Sequence, residues 1–177
     1  MTGSSQASLE IVVQPPPSVR VNRSLVPPIV ARTRDPQLLE DYSSGGKHIY
    51  ATAVLYSSNM EDCSSALVGH WNVSAQVVTE SSSSGRNGGS SSRSGSQQWL
   101  YFIFNPIAVS MEGIFAFNVV VSALSLSSAS ATGVSQVVAG RSTRQFNVVA
   151  HQPRTERPGS SERQILRRLE AAGVYSP

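Results

Sequence analysis

Three histidines (His48, His70, His151), one cysteine (Cys63) and two carboxylate doublets (Glu40-Asp41, Glu61-Asp62) are the residues best suited to acid–base, nucleophilic or metal chemistry. A metal site needs three or four such ligands brought together. The histidines lie far apart and none forms an i, i+4 helical pair, so each is expected to be a surface or structural residue. Cys63 directly follows Glu61-Asp62, whose negative charge disfavours a thiolate. Serine is abundant, but no Gly-x-Ser-x-Gly elbow occurs. Gly85-Arg86-Asn87-Gly88-Gly89 lacks the Gly-Lys-Ser/Thr ending of a phosphate-cradling loop. Neither carboxylate doublet has the spacing of a general acid/base pair. The expectation is a binding protein, not an enzyme, with no cofactor, no metal and no small-molecule substrate.

Arginine is the residue that remains for recognition chemistry. Lys47 is the only lysine, and the formal net charge is +3. The guanidinium fork matches phosphate and carboxylate oxygens in pairs, so a polyanion partner is open, although +3 is a small excess. Arg20 and Arg23 lie in one linker and Arg32 and Arg34 in the next segment. An alternative basic patch is Arg163, Arg167 and Arg168 near the C-terminal end.

These residues must be positioned by a fold, and 177 residues favour one domain. Cys63 alone makes no internal disulfide. The first eight residues are polar and expected to be disordered, with no apolar signal-peptide core. No apolar run reaches the ~18 residues of a membrane span, so no membrane partner is expected.

Alternation carries the fold class. Ile49, Ala51, Ala53 and Leu55 share one face of a strand over 47–56, with Tyr50, Thr52, Val54 and Tyr56 on the other. Trp99 to Phe104 is a strand apolar on both sides. Ile114 to Leu124 is the longest strand, with Phe115, Phe117, Val119, Val121 and Ala123 on one face. Shorter strands are expected at 9–13, 134–139 and 145–150, and one bent strand or two short ones over 66–78 with Gly69 at the bend. Residues 32–46 read as mostly loop, and 79–97, rich in Ser and Gly, as a disordered insertion. A capping box of Ser161 with Gln164 should open a short amphipathic helix over about 160–173 that Gly173 closes. Short strands without βαβ alternation predict an all-β sandwich with one short C-terminal helix.

Four blocks in order resemble the velvet domain of fungal developmental regulators. They are Leu9-Glu10-Ile11-Val12-Val13-Gln14-Pro15 with Val26-Pro27-Pro28-Ile29-Val30; Tyr50-Ala51-Thr52-Ala53-Val54-Leu55-Tyr56 with Leu67-Val68-Gly69; Tyr101 to Val109 with Glu112-Gly113-Ile114-Phe115; and Phe146-Asn147-Val148-Val149 with Pro158-Gly159 and Leu169 to Val174. The resemblance covers most of 9–176 and implies one velvet-like domain, an immunoglobulin-like sandwich of the Rel type. It further implies a nuclear transcription regulator of development, sporulation and secondary metabolism that pairs with itself or other velvet proteins. Arg20 and Arg23 fall where the family carries its basic DNA loop, so duplex DNA is the implied ligand, with Arg20, Arg23, Arg32 and Arg34 the implied contacts. The alternative is an interaction module that pairs with velvet-like proteins and binds no DNA.

Overall fold

The computed structural model describes residues 7–81, 96–125, 133–154 and 156–177. Its strands are β1 (Glu10–Val13), β2 (Ser18–Arg20), β3 (Ile29–Thr33), β4 (Lys47–Ser57), β5 (Leu67–Gly69), β6 (Asn72–Ser74), β7 (Gln76–Ser81), β8 (Ser96–Phe104), β9 (Ile107–Val109), β10 (Gly113–Ser125), β11 (Val134–Ser142) and β12 (Phe146–Val149). Two helices accompany them, α1 (Pro36–Ser43) and α2 (Ser160–Ala171). A four-stranded sheet runs β1-β3-β8-β7; a six-stranded sheet runs β2-β12-β10-β4-β6, with β11 also on β10; β5 and β9 form a separate ribbon.

The inner faces of the two large sheets meet in one core. Period-two alternation sends Ile49, Ala51, Ala53 and Leu55 of β4 inward beside Phe117, Val119 and Val121 of β10, in the register Ala53↔Val119 and Leu55↔Phe117. Across from them lie Ile29 and Ala31 of β3 and Leu100, Phe102 and Phe104 of β8. Phe117 and Phe146 stack at 5.2 Å between centroids. The all-β, layered expectation therefore holds.

Outside the core the two sheets differ. Val13, Val30, Val78, Trp99 and Tyr101, on the outer face of the four-stranded sheet, pack with Leu169 of α2 into a second buried cluster. Ile165, Leu166, Val174 and Tyr175 close over it. Among the described residues the outer face of the six-stranded sheet has no such cover: α1 instead sends Leu38 into the main core.

Several expectations are corrected. The fold carries more than one short C-terminal helix, because residues 36–43, expected as loop, form α1. Asp35 caps it, its Oδ1 accepting the Leu38 N–H at 3.1 Å, and Pro36 supplies the helical φ of the first turn. Residues 66–78 contain three short strands, β5, β6 and β7, which join three different sheets. Gly69 is indeed special: its φ is +97°, and a Cβ there would lie 2.4 Å from the Pro106 carbonyl oxygen. The insertion is shorter than 79–97, since β7 and β8 pair as far as Ser81↔Ser96; residues 82–95 lie outside the described residues. The polar start is also shorter than eight residues: the Ala7 N–H donates to Val138 O at 3.1 Å and Thr33 Oγ1 donates to Ser8 O at 2.6 Å. Residues 1–6 lie outside the described ones. Helix α2 opens without the Ser161–Gln164 box. Glu162 does that work, its carboxylate accepting the Gly159 N–H at 2.9 Å and the Gln14 N–H at 3.0 Å.

Candidate nucleic-acid interface

The segment expected as a linker between β1 and the Pro27-Pro28 pair contains β2, which pairs in parallel with β12 in the register Val19↔Val148 and Arg20↔Val149. Val19 points into the core, so its neighbour Arg20 faces outward. After β2 the chain turns tightly: the Arg23 N–H donates to Arg20 O at 3.1 Å, with Asn22 at a φ of 61°. The turn is held to β9, since the Asn22 N–H donates to Val109 O at 2.8 Å and the Leu25 N–H to Ile107 O at 2.9 Å. A fixed backbone thus carries two exposed arginines.

Arg20 and Arg23 line an open groove of about 280 Å³ together with Ser18, Ser24, Gln152 and Glu156. Among the described residues neither arginine makes an ion pair. Both forks are free to take oxygens of a phosphate in pairs, while Gln152 and the serines add neutral donors. Glu156 places a carboxylate in the same groove, which works against any anion seated deeply there. Gln152 and Glu156 were not foreseen. They reach the groove only because β12 lies beside β2, and the segment that carries them has no periodic pattern.

Arg32 and Arg34 are elsewhere. They lie at the end of β3 away from the Pro27-Pro28 segment, so the structure does not join all four arginines. Arg32 faces α2 and is enclosed by acids: Nε lies 3.1 Å from Glu10, Nη1 lies 3.5 Å from Glu80 and 3.2 Å from the Tyr101 hydroxyl. Its guanidinium also sits 3.8 Å above the centre of the Trp99 ring. Burial alone would lower its pKa, but hydrogen bonds to Tyr101 and Glu10 outweigh that and hold it above the ordinary value. Arg32 is therefore a structural charge and is withdrawn as a phosphate contact. Burial, with a hydrogen bond to Glu80, pushes the Tyr101 phenol up to about 12. Arg34 remains exposed, 5.4 Å from the Trp99 ring centre. Of the alternative patch, Arg168 pairs with Glu80 at 3.5 Å, whereas Arg163 and Arg167 are exposed one helical turn apart.

The histidines stay apart. His70 Nδ1 lies 3.1 Å from Asn105 O, and His48 Nε2 lies 3.4 Å from Ser74 Oγ. Among the described residues no group of three or more His, Cys, Asp or Glu could hold a metal ion. Among the described residues no helix is long and apolar enough to cross a membrane. Comparison with protein-family models and with curated proteins gives no match.

Proposed function

We propose that this chain is a velvet-like transcription regulator, with an immunoglobulin-like sandwich of the Rel type, that contacts the phosphate backbone of duplex DNA through the Arg20–Arg23 groove. The observation that carries this reading is the pair of exposed arginines, without ion pairs among the described residues, held on a turn that is bonded to a neighbouring strand. The four sequence blocks supply its family, and with it a nuclear site of action and control of development, sporulation and secondary metabolism. Backbone contacts of this kind give affinity that depends strongly on salt and weakly on sequence.

Mobility-shift titrations of Arg20→Ala/Arg23→Ala across a salt series test it. Each lost phosphate contact should flatten the log–log salt slope by about 0.9, on any duplex, with the melting temperature nearly unchanged. Arg163→Ala/Arg167→Ala should leave the slope as it was. The reverse pattern would move the contact to α2, and absence of DNA binding by the parent at low salt would end the DNA reading. A second reading, a pairing module acting beside other velvet proteins, is favoured by the uncovered outer face of the six-stranded sheet.

A further inference from the structure

The Arg20–Arg23 groove holds polar groups of both signs. Arg20, Arg23, Gln152 and Glu156 are all exposed there, and among the described residues none of the three charged ones makes an ion pair. A groove that took only phosphate would have no use for Glu156, because an ionised carboxylate accepts hydrogen bonds and donates none. The rest of the lining is largely apolar. Pro16 and Val19 are buried behind the groove, Pro153 is half-buried, and Val26 stands in it 69% exposed. Its volume of about 280 Å³ lies near the lower limit of small-ligand sites, about 300 Å³. A duplex carries its phosphates on a convex surface and meets only the rim of such a hollow.

An occupant that satisfies this lining carries an anion for the two guanidinium forks, a pair of donors for the carboxylate and a flat apolar face for Val26 and Pro153. An unpaired guanine nucleotide has all three. We propose that the groove seats one, with its phosphate on Arg20 and Arg23 and the Watson–Crick edge of its base on Glu156. That edge presents N1–H and the 2-amino group side by side, two parallel donors that match the two carboxylate oxygens as an arginine fork does. Adenine and cytosine place a ring-nitrogen lone pair beside their amino group, and thymine and uracil flank one N–H with carbonyls. Each of them therefore sets an acceptor against Glu156. In a duplex the guanine edge is spent on cytosine, so the base is either free or in an unpaired strand. Gln152 supplies an amide that both donates and accepts. Sugar and base hold the phosphate away from the carboxylate, which removes the repulsion that Glu156 exerts on a bare anion. This inference rests on the reading of Arg20 and Arg23 as phosphate contacts, and not on duplex binding.

Calorimetric titration of the full chain with nucleoside monophosphates reads it directly. Guanosine monophosphate should bind roughly ten-fold or more tightly than adenosine or cytidine monophosphate, from hydrogen bonds to a charged acceptor. Inosine monophosphate, which lacks the 2-amino group, should fall between. Glu156→Gln, at an exposed position, should abolish the guanine preference with unchanged melting. Arg20→Ala/Arg23→Ala should weaken all the nucleotides alike. The source of the ligand is read with a single-stranded thymidine oligomer carrying one central guanine, against the same strand with adenine there. Affinity well above that of guanosine monophosphate assigns the site to a strand, and equal affinity assigns it to the free nucleotide. A parent that prefers guanine neither as the free nucleotide nor in the strand overturns the proposal. So does a preference that survives Glu156→Gln, or guanine binding indifferent to loss of both arginines. Guanine-selective binding without duplex binding sinks only the duplex reading. Duplex binding that depends on both arginines, without any guanine preference, sinks only this one.

Discussion

The two outer faces of this sandwich start from similar strands and end differently. Strand β8 is apolar on both sides: Leu100, Phe102 and Phe104 enter the main core, and Trp99, Tyr101 and Ile103 require a second cover, which α2 supplies. Strands β4 and β10 send Leu, Phe and Val inward but Tyr, Thr, Val, Asn and Ser outward. The first face also carries a charge, Arg32, that can sit under a helix because Glu10, Glu80 and Tyr101 surround it. What separates a covered face from an open one is thus the apolarity of the outward positions together with a closed set of partners for each buried charge.

The largest expected effects treat the sheets as equals, because their inner faces share one core. Phe102→Ala and Phe117→Ala should each cost about 3–5 kcal/mol in chemical denaturation, since both side chains are fully buried. A large gap between them would mean that one sheet contributes far less than the other. Next comes the contrast between outer faces. Leu169→Ala, on the buried side of α2, should cost about 2–4 kcal/mol, whereas Val120→Ala on the open face should cost under about 1 kcal/mol. Similar costs would show that the open face is covered too. The smallest effect sharpens the electrostatic half of the comparison. Tyr101→Phe removes the hydroxyl between Arg32 and Glu80 and should cost about 1–2 kcal/mol near neutral pH. The folded phenol titrates near 12 and the ordinary one at 10.0, so the folded state keeps its proton longer. Stability from this group is intact below about pH 10 and is lost as the pH rises toward 12. That alkaline loss should vanish in Tyr101→Phe, as followed by melting temperature against pH.

Much of this was legible in the residues. The alternation in 47–56 and 114–124 and the apolar run in 99–104 marked strands, but both faces of 47–56 read as fairly apolar, so which strand would be covered on both sides was not legible there. Helix α1 was missed although Asp35-Pro36 is a sound opening signal, because eight residues with few apolar positions do not establish a period. Strand β2 was unreadable in principle: three residues have no period, and its pairing with β12 is a tertiary event. The candidate site followed the same division. Arg20 and Arg23 were named through the family resemblance, which says nothing of Gln152 and Glu156. Arg32 misled because a charge in a short strand reads as exposed until its surrounding acids, drawn from β1 and β7, are seen.

The threading of β2 against β12 also sets the order in which a ribosome can deliver this protein. Ser18 to Arg20 finds its partner only when Asn147 to Val149 has been made, and the Gln14 N–H waits for Glu162, 148 residues later. Strand β2 is thus secured long after it is made. Strand β1 can pair with β3 as soon as Thr33 is made, but β2 with Arg20 must wait for β12, so this part of the fold should form late and slowly. A nascent chain stopped before β12 would present Arg20 and Arg23 without the wall that shapes their groove, and the candidate surface would form only once β12 and the segment after it are made.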